Sequence, residues 1–462
     1  MGFVLSILYF VTSYLTPSVI FGPLAAYRVE LILAALISLI SLPLLAKSII
    51  MKTPQSVAVF GLAFAGSLSV FFEMHYITGA IQTFPVFLPC AFAYFLVCLH
   101  CNTKTKLQVV VLILLFVCLF VIAHGYIDLT NGVLLPETSE GVNANLWDMQ
   151  HPYLLPQQKI TGEWIYRIRG LGEINDPNDF GQLIVCTIPL LFIFWRPKKI
   201  FRNIVFVVFP LSALLFGIYL THSRGTLLAL IAIMIVAARR RIGTLPAMLI
   251  AAGVFVAAMA LNFTGGRDIS ASAGADRTIL WGAGLQMLKS HPLFGVGLGS
   301  FVEQCDCGHT AHNSLVICAA ELGLFGLFFW CMFLFSSMWG ALAIASPEKV
   351  SEADPAIAEE ALDSRGISRN VVIDKTEINR LGRLLVLSFT GFLVAGWFLS
   401  RSYVMTFFLL GGMVEVVYEM ALRRGMIAPR MRMGRALRYI GGLEVSLVLL
   451  IYIMIRVMNV MH

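Results

Sequence analysis

Charged side chains are scarce in this sequence: Asp, Glu, Lys and Arg make up 13% of 462 residues, against 58% hydrophobic. A mean hydropathy of +0.84 excludes an ordinary soluble globular protein and makes lipid the solvent. The strand-like alternation of apolar and polar residues is missing too. Runs such as the one from Val110 to Ile122 are apolar on every face, which excludes a membrane β-barrel and leaves helices as the spanning structure. The N-terminal apolar run has neither a basic flank nor an Ala-x-Ala-like cleavage site, so it is expected to be a retained helix rather than a removed signal. No internal repeat is evident.

What the sequence does contain is about thirteen apolar stretches long enough to cross a bilayer, near 3–22, 29–46, 55–73, 81–99, 106–124, 179–195, 203–220, 225–238, 245–262, 313–344, 384–400, 402–421 and 440–459. The expected fold is all-α, a polytopic transmembrane helical bundle of about 12–13 spans. Of 33 Lys and Arg residues, 23 fall on one side of this map, 9 on the other, and one, Arg456, inside the last span. Positive-inside bias makes the richer side cytoplasmic. The net charge of +7 is thus a topology signal, and the basic run from Arg423 to Arg438 reads as a membrane-surface feature rather than a nucleic-acid patch.

The chain divides accordingly. N-terminal transmembrane helices occupy 1–124, an outward loop 125–178, and a core 179–344 that carries a second outward loop at 263–312; a polar cytoplasmic loop fills 345–383 and C-terminal transmembrane helices 384–462. The outward loops are expected to hold short amphipathic helices.

Charges on the side depleted of Lys and Arg are the informative ones. Arg224, in THSRGTLLAL, sits in a tight turn between two apolar stretches; it is either an interfacial arginine at headgroup depth or an anion clamp facing a cavity. Arg277 opens a segment, ADRTILWGAGLQMLKSHPLFG, whose Ile279, Leu280, Ala283, Met287 and Leu288 recur at helical spacing. That pattern gives an interfacial amphipathic helix with Arg277 and Trp281 one turn apart, as anchor or as ligand-binding pair. Arg167 and Arg169 form a third basic group. After them, Asp176 and Pro177 have the chemistry of a helix start, with sugar contacts by Asp176 or Asn178 as the alternative.

His312 precedes an apolar helix. The positive end of that helix disfavours imidazolium and suits a neutral general base, whereas a capping or packing role is the structural alternative. The nearby string CDCGHTAH places Cys305, Cys307, His309 and His312 within eight positions, open to zinc, to a disulfide or to free thiols. GVGLGSF at 295–301 is not a nucleotide loop, since its glycines are spaced G-x-G-x-G and no strand precedes them; Gly295, Gly297 and Gly299 suit a kinked or re-entrant segment.

Taken together, THSRG at 221–225, DRTILWGAGLQMLKSHPLFGVGLGSF at 276–301, HNSL at 312–315 and ELGLFGLFFW at 321–330, preceded by RGLGEINDPNDFGQ at 169–182, resemble the O-antigen ligase and Wzy-type polymerase superfamily of membrane glycosyltransferases. The resemblance implies a glycan donor linked to undecaprenyl diphosphate, a lipid A-core or other glycan acceptor, and an active site at the periplasmic face of a bacterial inner membrane. It implies His312 as catalytic residue and Arg224 and Arg277 as donor-diphosphate ligands, with Arg169 a weaker match; Trp281, Asn313, Glu321, Asp176 and Asn178 are candidate supporting residues. No metal or other cofactor is expected, because converging guanidinium groups can stabilise a leaving diphosphate and the outward loops lack an Asp-x-Asp string. Such enzymes generally invert the anomeric centre. Two rivals remain open: a polymerase, differing only in acceptor, and a transporter or flippase, which would place polar groups at mid-membrane on broken helices.

Overall fold

The computed structural model describes residues 1–25, 27–46, 48–132, 150–158, 162–261, 263, 265, 272–305, 308–346 and 375–460. The polar loop expected at 345–383 falls mostly outside these residues, as do the middle of the first outward loop and the start of the second.

Among the described residues ten helices are long and apolar enough to cross a membrane, which makes this a multi-pass all-α membrane protein. They account for ten of the thirteen stretches. The other three depart from the simple spanning pattern for visible reasons. Gly2–Leu15 has 14 residues and Thr244–Ala260 has 17, close to or below the length a span needs; Arg224–Ile242 has 19 but begins with arginine and ends on Arg239, Arg240 and Arg241.

The chain forms two compact units. The first comprises Met1–Ile40, Lys104–Ile269 and Leu387–Ala395. Its centre is the helix Pro177–Leu191, buried along nearly all its length. Gln182 donates to the carbonyl of Phe392 (3.2 Å), and the carbonyl of Cys186 accepts from Ser388 (2.8 Å), so polar side chains pin a neighbouring helix within the apolar core. The helix starts as its sequence chemistry suggests: Asp176 caps it by accepting from the amide of Asn178 (2.7 Å), with Pro177 in the first turn. The described part of the first outward loop contains an antiparallel hairpin that was not anticipated from sequence, β1 Leu154–Gln158 and β2 Trp164–Ile168, paired from Leu154 with Ile168 to Gln158 with Trp164.

The second unit comprises Ser41–Thr103, Ser270–Val386 and Gly396–His462. Its backbone is the helix Ser314–Ala345, which packs on Pro54–Met74, on Met405–Leu422 and on the helix Ser272–Ser290. Buried Leu280, Trp281, Met287 and Leu288 give Ser272–Ser290 its inner face, while Ile279 points outward and is 64% exposed. Close approach to Ser314–Ala345 is possible because residue 284 is glycine: a Cβ there would lie 2.4 Å from the Val316 side chain.

Ser314–Ala345 is interrupted near its start. Gly323 has φ 63° and ψ −166°, outside the helical region and open essentially to glycine alone. The backbone groups released by the break are taken up by the segment 292–297. The amides of Val296 and Gly297 donate to the carbonyls of Ala320 (2.9 Å) and Glu321 (3.2 Å), and those of Leu324 and Phe325 donate to the carbonyls of Pro292 (2.9 Å) and Leu293 (3.1 Å). Non-helical backbone inside a membrane protein has to be satisfied by protein in this way. Gly295, Gly297 and Gly299 all have positive φ, as a kinked segment requires.

Candidate functional site

The candidate residues fall into two constellations, one in each unit. In the first unit, the helix ending at Thr221 and the helix starting at Arg224 are joined by His222, in the left-handed region at φ 48°, and Ser223, whose hydroxyl caps the second helix by accepting from Thr226 (3.4 Å). A ring nitrogen of His222 lies 2.8 Å from the carbonyl of Phe263. Arg224 is thereby set at the first position of a helix, where partial positive charge already favours an anion. Its side chain is half-buried and makes no hydrogen bond or ion pair with any described residue.

Arg167 and Arg169 differ in kind. Arg167 is 3% exposed, and its guanidinium donates to the carbonyl of Thr221 (2.8 Å), to Gln157 (3.2 Å) and to Asn178 (3.0 Å). It ties both strands of the hairpin and the cap of Pro177–Leu191 to the turn that carries Arg224. Arg169 is half-buried and donates through Nε to the carbonyl of Pro152 (3.3 Å). Asp176 and Asn178 are engaged in the cap and in holding Arg167.

In the second unit, His312 is exposed and occupies the left-handed region at φ 47°. It is not the cap. That role belongs to Asn313, fully buried, whose Oδ1 accepts from the amides of Leu315 (2.9 Å) and Val316 (3.1 Å), so the helix start is satisfied without the His312 imidazole. The residues around it are fixed by distant partners: the Trp281 indole donates to the carbonyl of Ala311 (2.9 Å), and Asn313 donates to the carbonyl of Trp397 (3.2 Å). Arg277 lies over the face of Phe398 at 5.3 Å, and Trp281 meets Trp397 edge-on at 5.8 Å. Glu321 is buried, and its side chain accepts from the backbone amides of Gly299 and Phe301, fastening the glycine segment to the broken helix.

Among the described residues no three His, Cys, Asp or Glu side chains come together as metal ligands. Cys305 is disulfide-bonded and so has no thiolate to offer a zinc ion; Cys307 lies outside the described residues.

Residues 209–331 match a family model described as O-antigen ligase, Wzy_C. Over this segment, about a quarter of its length, the chain is similar to the O-antigen ligase and Wzy-type superfamily. A search of curated proteins finds no match. The O-antigen ligase segment begins with the helix leading into Thr221 and takes in Arg224, Arg277, His312 and Glu321, and it ends within Ser314–Ala345. Arg167, Arg169, Asp176 and Asn178 precede it.

One part of the site has no counterpart in the residues singled out from sequence. It is the turn from Trp397 to Ser402, between two apolar stretches and beyond the O-antigen ligase segment. Ser314 donates to the carbonyl of Leu399 (2.8 Å) and Ser402 to the carbonyl of Ser314 (2.5 Å). Its only mark in the sequence is a short polar string, Ser400-Arg401-Ser402, where two spans meet.

Proposed function

We propose that this protein transfers a glycan from undecaprenyl diphosphate to an acceptor hydroxyl at the periplasmic face of the bacterial inner membrane, as an O-antigen ligase does. The observation that carries this reading is His312: an exposed imidazole, released from capping by Asn313, held on a braced turn and lying within the family's matched segment.

His312 takes the proton of the acceptor hydroxyl as its oxygen attacks the anomeric carbon; the bond from that carbon to the diphosphate oxygen breaks, inverting the centre, and the electron pair leaves with the diphosphate. Arg224 and Arg277 bind that diphosphate, with Arg169 as a further ligand, and offset the charge that grows on the departing oxygen. Supporting this assignment are the helix-start position of Arg224 and the orientation of Arg277 against Phe398. The step needs no metal.

The test is transfer by the purified protein from an undecaprenyl-diphosphate glycan, offered either lipid A-core or a second copy of the donor, with products resolved by mass. Single transfer to lipid A-core supports the ligase reading, whereas growth of lipid-linked chains assigns the polymerase. His312→Ala should lower turnover by about 10²–10⁴-fold while remaining folded. Native turnover in that variant removes the histidine from the mechanism.

A further inference from the structure

The hydrogen bond between Ser400 and His312 stands apart from the rest of the brace. The Ser400 hydroxyl accepts from the backbone amide of His312 at 2.7 Å and donates its own proton to Thr310 Oγ1 at 2.9 Å. One side chain thus grips the chain on both sides of Ala311, whose carbonyl is held by Trp281. The other bonds of the brace are buried or partly buried, and they secure the helix start: Asn313 to Trp397, Ser314 to Leu399 and Ser402 to Ser314. The Ser400 bond is exposed. Water would satisfy the same amide in its absence, so the bond contributes little to satisfying a buried group. What water cannot supply is direction. An amide held at 2.7 Å by a side chain fixed through Thr310 sets the Ala311–His312 peptide plane, and that plane aims the Cα–Cβ bond of the histidine. The need is greatest at a residue in the left-handed region, which side chains other than glycine seldom occupy.

Resting on the assignment of His312 as the base, we propose that Ser400 is a positioning residue that aims the imidazole at the acceptor hydroxyl. It touches no reacting atom. The turn from Trp397 to Ser402, which lies outside the matched family segment, is on this view the other half of the catalytic mount.

The experiment compares full-length Ser400→Ala, Ser400→Thr and His312→Ala in purified form, reading kcat, KM for donor and acceptor, and the thermal unfolding temperature. A misaimed base should cost Ser400→Ala about 10- to 100-fold in kcat. Both KM values should stay within about two-fold, because substrate binding is untouched, and the unfolding temperature should stay native. Ser400→Thr keeps the hydroxyl on a half-exposed residue and should recover most of the loss. Native kcat in Ser400→Ala beside an inactive His312→Ala overturns the positioning role and leaves the histidine assignment standing. Equal impairment of the Ala and Thr variants, or a loss that follows a lowered unfolding temperature, assigns Ser400 a structural role and also overturns it. Native turnover in His312→Ala overturns both.

Discussion

Gly323→Ala is the sharpest test of the broken helix. Two costs add at this position. The backbone at φ 63° and ψ −166° lies where an L side chain is strained by about 1–3 kcal/mol. The new Cβ would also sit 2.5 Å from the carbonyl carbon and oxygen of Leu293 and 2.6 Å from the amide nitrogen of Gly295. These are backbone atoms that cannot rotate away, and such overpacking costs about 1–3 kcal/mol. A combined loss of about 2–6 kcal/mol should appear as a clear fall in unfolding temperature, followed by intrinsic tryptophan fluorescence in detergent or lipid. The chain's alternative is to heal into a continuous helix, which gives up the four hydrogen bonds joining 292–297 to 320–325 and disturbs the segment that Glu321 fastens. Gly282→Ala is the matched control: its Cβ meets nothing within 4 Å and it lies inside a helix, so alanine should be neutral or stabilising by about 0.5–1 kcal/mol. Native unfolding of Gly323→Ala would refute the break and every role assigned to it.

Arg224→Ala should abolish transfer with an unfolding temperature close to native, because the side chain has no described partner to lose; a large drop in unfolding temperature would show that it holds the fold instead. Arg167→Lys should behave in the opposite sense, lowering stability by about 2–4 kcal/mol and exposing the hairpin to protease, since one ammonium cannot replace a guanidinium fork bonded to Thr221, Gln157 and Asn178. A fully native Arg167→Lys would show the buried fork to be dispensable. Cysteines introduced at exposed Glu303 and Thr244, in a background free of native cysteines, should label from opposite sides of the membrane with an impermeant thiol reagent. Labelling from one side would place the histidine and the basic loops in the same compartment and end the glycan-transfer proposal.

Ten of the thirteen expected spans were legible because hydropathy sets them, and the start of Pro177–Leu191 was legible because capping chemistry is local. Glycines 295, 297 and 299 announced a kink through their spacing. The break at Gly323 did not announce itself: ELGLFGLFFW is apolar throughout, and a glycine within a transmembrane run is commonplace. The hairpin was hidden for another reason. Its strands are five residues each, one contains Pro156, and a pair that short has little pattern to show. Sequence placed Arg167 and Arg169 in one group, and only tertiary packing separates the buried tie from the half-buried residue. His312 stood out by position, but whether it capped its helix depended on Asn313 occupying the cap. The turn from Trp397 to Ser402 matters through partners more than eighty positions away, a relation no local motif encodes.

The broken helix also bears on how the protein fits lipid of varying thickness. Unbroken, the 32 residues of Ser314–Ala345 would extend about 48 Å, far beyond a hydrocarbon core of about 30 Å. The interruption at Gly323 leaves residues 324–345, about 33 Å of helix, to match the core, and frees the short stretch before it from that constraint. Thinning or thickening of the bilayer is then absorbed by tilt of the long portion, while the stretch beginning at Ser314 is anchored to the turn ending at Ser402 and keeps its own inclination. Glycan transfer should accordingly change little between bilayers of shorter and longer acyl chains, a tolerance that a single rigid rod of this length would lack.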